Sequence, residues 1–350
     1  MKILKSFALV SLVPSLKERA CPDVSGGWKV LFCFALLFFS FTPPKQFPTN
    51  KYDYVVAKDG SGNFTTIQSA IEACKSFPYQ RIKIFIKNGV YHEKVFIPSW
   101  NTKISLIGEN KDSTIITYDD YFSKIDKGRN STFYTSTVLV QGNDFHAENL
   151  TIENAAGPVG QAIALSVEAD RCSFSNCKLL GNQDTLYVAG ENARQYFNDC
   201  YIEGTTDFIF GEATALFEKC FIKIKADSYI TAASTPEGAA FGFVFKNCAL
   251  TASPGINKAY LGRPWRKYAR VVFINSTMGN FIVPEGWSDW SGTDSDKTAF
   301  YAEYKSNGEG ANIKDRVQWS HQLTKEQVAK YTMENIFSGE VIWNPLIADK

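Results

Sequence analysis

The strongest constraint on this fold is a short motif that recurs through the second half of the chain. Phe-x-x-Cys appears as Phe174-Ser-Asn-Cys177, Phe197-Asn-Asp-Cys200, Phe217-Glu-Lys-Cys220 and Phe245-Lys-Asn-Cys248. Phe145-His-Ala-Glu148 and Phe273-Ile-Asn-Ser276 read as degenerate copies before and after. The steps between last positions are 29, 23, 20, 28 and 28 residues. A unit of that size cannot bury an apolar face alone, so units must stack, which is the signature of a solenoid. The intervening segments read as short strands and turns, with no helix-length crossover. The fold class is therefore all-β, a parallel β-helix, with each Phe and Cys pointing inward and stacking on the next coil.

The N-terminal part fits the same plan. A strand opens at Tyr54, and Lys58-Asp-Gly-Ser-Gly-Asn63 is a turn cluster. Thr65 and Gln68 form a capping-box pattern. Ile67, Ala70, Ile71 and Cys74 follow at helical spacing, predicting a capping helix over Thr65 to Ser76. Ile82, Ile84 and Ile86 face one way, with Arg81, Lys83, Phe85 and Lys87 between, in a strand that stops at Asn88-Gly89. Tyr91 to Ile97, Ile104 to Ile107 and Thr114 to Thr117 read as further strands. The last strand is expected near Val271 to Asn275, with Gly286-Trp-Ser-Asp-Trp290 and the tail as loop. A second capping box, Thr324 to Gln327, opens a helix with Val328 and Tyr331. The tail should pack along the solenoid and cover one end.

Charge and cysteine usage narrow the partners. The 350 residues carry 37 basic and 36 acidic side chains, leaving no excess to attract nucleic acid or an anionic membrane. Val30 to Phe41 is an uninterrupted apolar run after Lys29. A membrane anchor and a mis-called start are the alternatives, but the run is shorter than the roughly 20 residues of a membrane span and reads as the core of a signal peptide or targeting leader over residues 1–45, with a cleavage point near Ser40 to Lys45. Residues 50–345 would then be the secreted domain, a monomer with no membrane association. Of eight cysteines, Cys21 and Cys33 fall in the leader. Cys74, Cys172, Cys177, Cys200, Cys220 and Cys248 remain, an even number in an oxidising compartment. His92, His146 and His321 are scattered and no Cys-x-x-Cys occurs, which speaks against structural zinc. Asn63, Asn130, Asn149 and Asn275 lie in glycosylation sequons.

Two aspartates share one place in the repeat. Asp184 lies seven residues after Cys177, and Asp207 seven after Cys200. Neighbouring parallel strands are about 4.8 Å apart, so the two carboxyls should stack on the outer face of consecutive coils. At that distance both cannot ionise cheaply; one pKa should rise while the other stays low. Flanking Leu186, Tyr187, Phe208 and Phe210 make a pair of ordinary solvated turn residues improbable. Gln161 lies 23 residues before Asp184, and an insertion in the Asn154-Ala-Ala-Gly-Pro158 turn would give it the same register one coil earlier. With Gln183 it could donate hydrogen bonds to a developing oxyanion. Arg263, in the stiff Leu261-Gly-Arg-Pro-Trp265 segment, could hold an aspartate ionised. Trp265, Tyr187, Phe210 and Trp287 offer flat faces for a sugar ring. No Gly-x-Ser-x-Gly elbow is present and the three histidines are scattered, so any hydrolysis here would fall to the aspartates.

These residues resemble the pectin methylesterases (pectinesterases). The matching signatures are Gly142 to Gly160 (GNDFHAENLTIENAAGPVG) with Gln161-Ala, then GNQDTLY, GTTDFIFG and YLGRPW, and the resemblance runs from about Tyr54 to Ile336. It implies a right-handed single-stranded parallel β-helix that hydrolyses galacturonate methyl esters of homogalacturonan, releasing methanol without metal or organic cofactor. It implies Asp207 as nucleophile, Asp184 as general acid and then base, Gln161 and Gln183 as oxyanion donors, and Arg263 as partner of the nucleophile. Trp265 would bind substrate, with Tyr187, Phe210, Trp287 and Phe133 as groove residues. By similarity to some members, Cys200 and Cys220 could form a disulfide. Ile230-Thr-Ala-Ala-Ser-Thr235 departs from the plant pattern Ile-Thr-Ala-Gln-Gly-Arg and looks more like bacterial members, as does the lack of a plant-type inhibitory pro-domain. The rival readings are a β-helix galacturonan hydrolase or lyase and a non-catalytic polysaccharide-binding β-helix.

Overall fold

From Ile82 to Pro264 each turn of the chain lays one strand on each of three parallel sheets. The computed structural model describes residues 51–348; the expected leader over residues 1–45 lies outside the described residues. The first sheet has eleven strands, the second eight and the third seven. One coil shows the path: Cys172–Ser175, Lys178–Leu180 and Leu186–Val188 occupy the three sheets in turn, and Arg194–Asn198 returns to the first. The expected parallel β-helix is what forms.

The Phe-x-x-Cys repeat sets the register. Phe174, Phe197, Phe217, Phe245 and Phe273 are successive partners in the first sheet. Their rings stack at 4.8, 4.8, 4.5 and 4.4 Å, with interplanar angles of 12° or less. All five are fully buried, and each contributes roughly 1.5–3 kcal/mol of apolar burial. The residue before each cysteine turns the corner in left-handed backbone: Asn176 (φ 50°), Asp199 (φ 53°), Lys219 (φ 55°) and Asn247 (φ 56°). Asn and Asp tolerate that region best, which is why they recur at this position. The corner still carries the ladder, since the Asn176 N–H donates to Asn198 O at 3.0 Å.

The degenerate copies differ. Phe273 keeps register and Ser276 takes the cysteine's place, its hydroxyl accepting from the Cys248 N–H. Phe145 does not: Ala147 is the partner of Phe174, so the earlier copy is offset by two residues and its ring meets Phe174 tilted at 49°. The six described cysteines are all buried free thiols, so the possible Cys200–Cys220 bridge is not formed and the thiols stack. The thiols of the coils donate instead to carbonyls of the preceding coil, Cys200 to Phe174 O and Cys220 to Phe197 O, while Cys74 donates to Ala70 O in the N-terminal helix.

Both flanks depart from the sequence reading in detail. The N-terminal helix is Ile67–Glu72, capped by Thr66 rather than Thr65. Its first N–H groups, of Ile67 and Gln68, donate to the Glu93 carboxylate, which frees the Gln68 side chain to accept from Phe96 N–H. Ile67, Ala70 and Ile71 close the first coil from outside. At the other end the sheet does not stop at Ile274: Phe300–Tyr304 adds another coil paired with Arg270–Ile274. Pairing over so long a connection has no local signal. The tail then runs along the outer face of the first sheet. Leu323, Ile336, Phe337 and Trp343 cover Tyr196, Leu216, Val244 and Val272, and Arg194 donates to Phe337 O and Val341 O. The second capping box forms as expected at Thr324 and Gln327.

If the stacked rings hold neighbouring coils together, Phe217→Ala should cost about 3–5 kcal/mol in urea-induced unfolding, because the rings on both sides lose a partner and the cavity cannot collapse. A loss below about 1 kcal/mol would place the stabilisation elsewhere.

Candidate active site

The third sheet carries the site, and the corner leading into it holds both aspartates. Leu186 and Tyr187 pair with Ile209 and Phe210, which places Asp184 level with Asp207 one coil on. The main chain continues the same spacing, with Asp184 N–H donating to Thr206 O and Leu186 N–H to Phe208 O. Both aspartates have left-handed backbone, φ 64° and 49°. The geometry that Asn176 and its equivalents adopt at one corner is thus adopted by Asp184 and Asp207 at another, and it turns their carboxyls into the cleft. They are 8% and 6% exposed.

Arg263 reaches Asp207 from the coil two further on. Its Nε donates to Oδ1 at 3.0 Å and a terminal nitrogen to Oδ2 at 2.6 Å, a bidentate pair. The guanidinium lies between the rings of Tyr229 and Trp290, 4.0 Å from each centroid. Such stacking favours Arg over Lys and removes rotamer freedom before any ligand arrives. Gly262, next in the chain, lies so close to the previous strand that a Cβ there would sit 1.9 Å from Thr231 Oγ1. This contact makes glycine obligatory in the Leu-Gly-Arg-Pro-Trp segment.

Burial is the main influence on both carboxyls. It pushes the Asp184 pKa well above the ordinary carboxylate value; the Asp207 charge pushes it further, with Arg263 opposing. Among the described residues no side chain hydrogen-bonds the Asp184 carboxyl, so only the charge of Arg263 favours its ionised form. The Asp207 pKa is also raised by burial, but the Arg263 hydrogen bonds and charge pull it back. The expected split, one high and one low, becomes two raised values in a definite order. Asp207 ionises first, and Asp184 holds its proton longer.

Gln161 and Gln183 complete the polar wall. They form an isolated parallel bridge with each other, so Gln161 aligns with Gln183 and not with Asp184 as the 23-residue spacing had suggested. The insertion is shorter by one residue than that alignment assumed. Both line a cleft of about 350 Å³ together with Asp184, Asp207, Arg263, Phe210, Trp265 and Phe133. Tyr187 stacks on Phe210 at 4.7 Å and tilts against Phe133 at 5.2 Å. Trp287 is not in this wall. It is fully buried against Phe273 and Tyr301 in the core, which corrects its reading as a groove residue. Its backbone bridges Gly262 and its ring turns inward; Trp290, three residues on, lines the cleft instead.

Arg129, Thr132, Ala232 and Trp290 also line the cleft, and Tyr229 supports it from behind Arg263. Sequence reasoning passed over Arg129 and Thr132 because they belong to a 3-10 segment, Gly128–Tyr134, outside the repeat. Tyr229 carries a signal only in hindsight: it pairs with Tyr260 and so shares the arginine's sheet. Chemically, the cleft sets an arginine-held carboxyl that ionises first beside a buried carboxyl that holds its proton longer and two primary amides, walled by aromatic rings. That suits nucleophilic attack on an uncharged carbonyl, with proton delivery to the leaving group.

A pectinesterase family model matches residues 53–340. Among curated relatives, "Pectinesterase 31" of Arabidopsis thaliana is 37% identical over 293 residues, which cover 81% of this chain and 92% of that protein. "Probable pectinesterase/pectinesterase inhibitor 58" of the same plant is 38% identical over 312 residues, and there the chain spans about half of the relative's length, 53%. Among solved structures, the pectin methylesterase from carrot superposes with a TM-score of 0.78 at 34% identity, covering 83% of this chain and 95% of that one. A pectin methylesterase in complex with a hexasaccharide superposes at 0.72 with 32% identity, covering 84% and 98%.

A raised carboxyl pKa means that the folded chain holds protons which the unfolded chain has released. Stability from this source is complete below the ordinary carboxyl pKa, about 4, and is lost as pH rises through the folded values. Asp184→Asn removes the more strongly shifted group. The variant's melting temperature should exceed the parent's by a margin that widens from about pH 4 to about pH 8, read by thermal unfolding across that range. A margin that stays constant with pH would refute the shift.

Proposed function

This chain belongs to the pectinesterase family, and on that premise we propose that its cleft hydrolyses the C6 methyl esters of galacturonate in homogalacturonan. The single observation that carries this reading is the bidentate Arg263–Asp207 pair one coil from the buried, proton-holding Asp184. Asp207 attacks the ester carbonyl. The charge that develops on the carbonyl oxygen is met by the amide N–H groups of Gln161 and Gln183. Asp184 gives its proton to the methoxy oxygen, methanol leaves, and an anhydride joins Asp207 to the galacturonyl group. Asp184, now ionised, takes a proton from water. The water oxygen bonds to the galacturonyl carbon as the anhydride C–O bond breaks, restoring the Asp207 carboxylate and leaving galacturonic acid, which then gives its proton to solvent. Each proton is returned, and no step calls for a metal or organic cofactor.

The walls support a sugar polymer as substrate. Phe133, Tyr187, Phe210 and Trp265 present an aromatic strip beside the carboxyls. The hexasaccharide held by a structural relative supports a cleft that takes several sugars. We further place the enzyme outside the cell as a monomer acting on wall pectin. The apolar run Val30 to Phe41 supports export, and no helix of the described residues is long and apolar enough to cross a membrane.

The decisive experiment incubates the protein with highly methylated pectin and measures methanol together with chain length. Methanol without new reducing ends is the expected result; new reducing ends or unsaturated products would favour the galacturonan hydrolase or lyase instead. Asp207→Asn should abolish methanol release with the fold intact, and retention of more than a few per cent of activity would remove it as nucleophile. Gln183→Ala should lower turnover by roughly 10²-fold, the scale for one oxyanion donor; a variant within twofold of the parent would show that it has no such role.

A further inference from the structure

A second cavity, of about 620 Å³, lies at the N-terminal coils, lined by Asp53, Tyr54 and the stretch from Lys75 to Ile82. It is rimmed by aromatic rings turned into water: Phe77 is 71% exposed, Tyr79 98% and the neighbouring Trp100 49%. Single exposed apolar residues are ordinary, but three on two touching loops are not. Phe77 is also the sole apolar residue among the described non-glycine residues with positive φ, at 49°. A bulky side chain in that region costs about 1–2 kcal/mol. The loops hold it there through defined contacts. The Phe77 N–H donates to Trp100 O at 2.7 Å, and Lys103, itself at φ 56°, donates from Nζ to Tyr79 O at 3.1 Å.

Cations surround these rings. Lys75 is exposed, Lys103 stands behind Tyr79, and Arg81 is fixed at the rim by donating to Ser105 Oγ and Asp144 O. Asp53 is the one carboxylate in the lining, and it already accepts the Lys83 N–H at 2.7 Å. Flat apolar faces suit the C–H faces of pyranose rings, and flexible cations suit carboxylates spaced along a chain.

We propose that this loop pair is a second binding site, separate from the catalytic cleft, for de-esterified galacturonan. The inference rests on the pectin reading above, because de-esterification turns a neutral polymer into a polyanion that these cations would retain. A remote anchor raises the effective concentration of the next esterified stretch at the cleft without touching the chemistry.

The test uses the full chain in two assays. One is electrophoresis through gels with and without polygalacturonate; the other is methanol release from polymeric pectin and from a short methyl-esterified oligomer that cannot span both sites. The double variant Phe77→Ala, Tyr79→Ala alters only exposed rings. It should lose most of the gel retardation and raise KM for the polymer about fivefold with kcat unchanged, while KM for the oligomer stays within about twofold. Lys75→Gln with Lys103→Gln should weaken retardation at low salt and much less at high salt. Equal retardation of parent and variants, or a KM shift shared by polymer and oligomer, would overturn the proposal. So would a variant that changes only its oligomeric state in light scattering, since that assigns the patch to a second copy of the chain. Should the parent release no methanol, the esterase reading fails, while the retardation assay still decides whether this loop pair binds the polymer.

Discussion

The coil-to-coil hydrogen-bond ladder is the constraint on which the rest depends. It fixes the distance between equivalent positions at about 4.8 Å whatever the side chains are, and so converts sequence spacing into geometry. Phe174 to Phe273 form a continuous stack because they share a register. Asp184 and Asp207 become neighbours for the same reason. The core and the site are two readings of one lattice, on opposite sides of the same backbone. Neither carboxyl could keep its place if the ring ladder slipped by one residue, because a slip of one exchanges inside for outside.

Electrostatics then differentiates two chemically identical side chains. Burial raises both pKa values, and Arg263 offsets the effect on one carboxyl far more directly than on the other. The arginine is held by what surrounds it: a strand that admits only Gly262 beside it, and two rings that clamp its plane. Preorganisation of this kind is supplied by folding, so ligand binding does not have to order the guanidinium.

Where a residue lies inside an intact copy of the repeat, its position is legible from the chain alone; the degenerate Phe145 copy, offset by two residues, is the exception. The Phe stack, the aspartate pair and Arg263 follow from spacing, turn chemistry and motif. Legibility failed where the chain leaves the repeat. Gln161 was misaligned by one residue because nothing in the sequence says how an insertion divides between strand and turn. Trp287 and Trp290 look alike in Gly-Trp-Ser-Asp-Trp, and only the bridge to Gly262 decides which ring goes inside. The strand Phe300–Tyr304 rejoins the sheet after a long irregular excursion, and no local pattern announces a long-range pairing. The thiol stack is a different case, since an even cysteine count is compatible with bridges and with simple packing alike, and the chain alone does not choose between them.

The left-handed corners have a consequence for how such a site can vary. Asp184 and Asp207 occupy backbone that β-branched or bulky residues adopt only with strain. Each position is therefore filtered twice, by proton chemistry and by handedness, and asparagine is the residue that passes the second filter while failing the first. A drifting copy of this scaffold has a low-barrier exit from function: one amide in place of one acid, with every coil still in place.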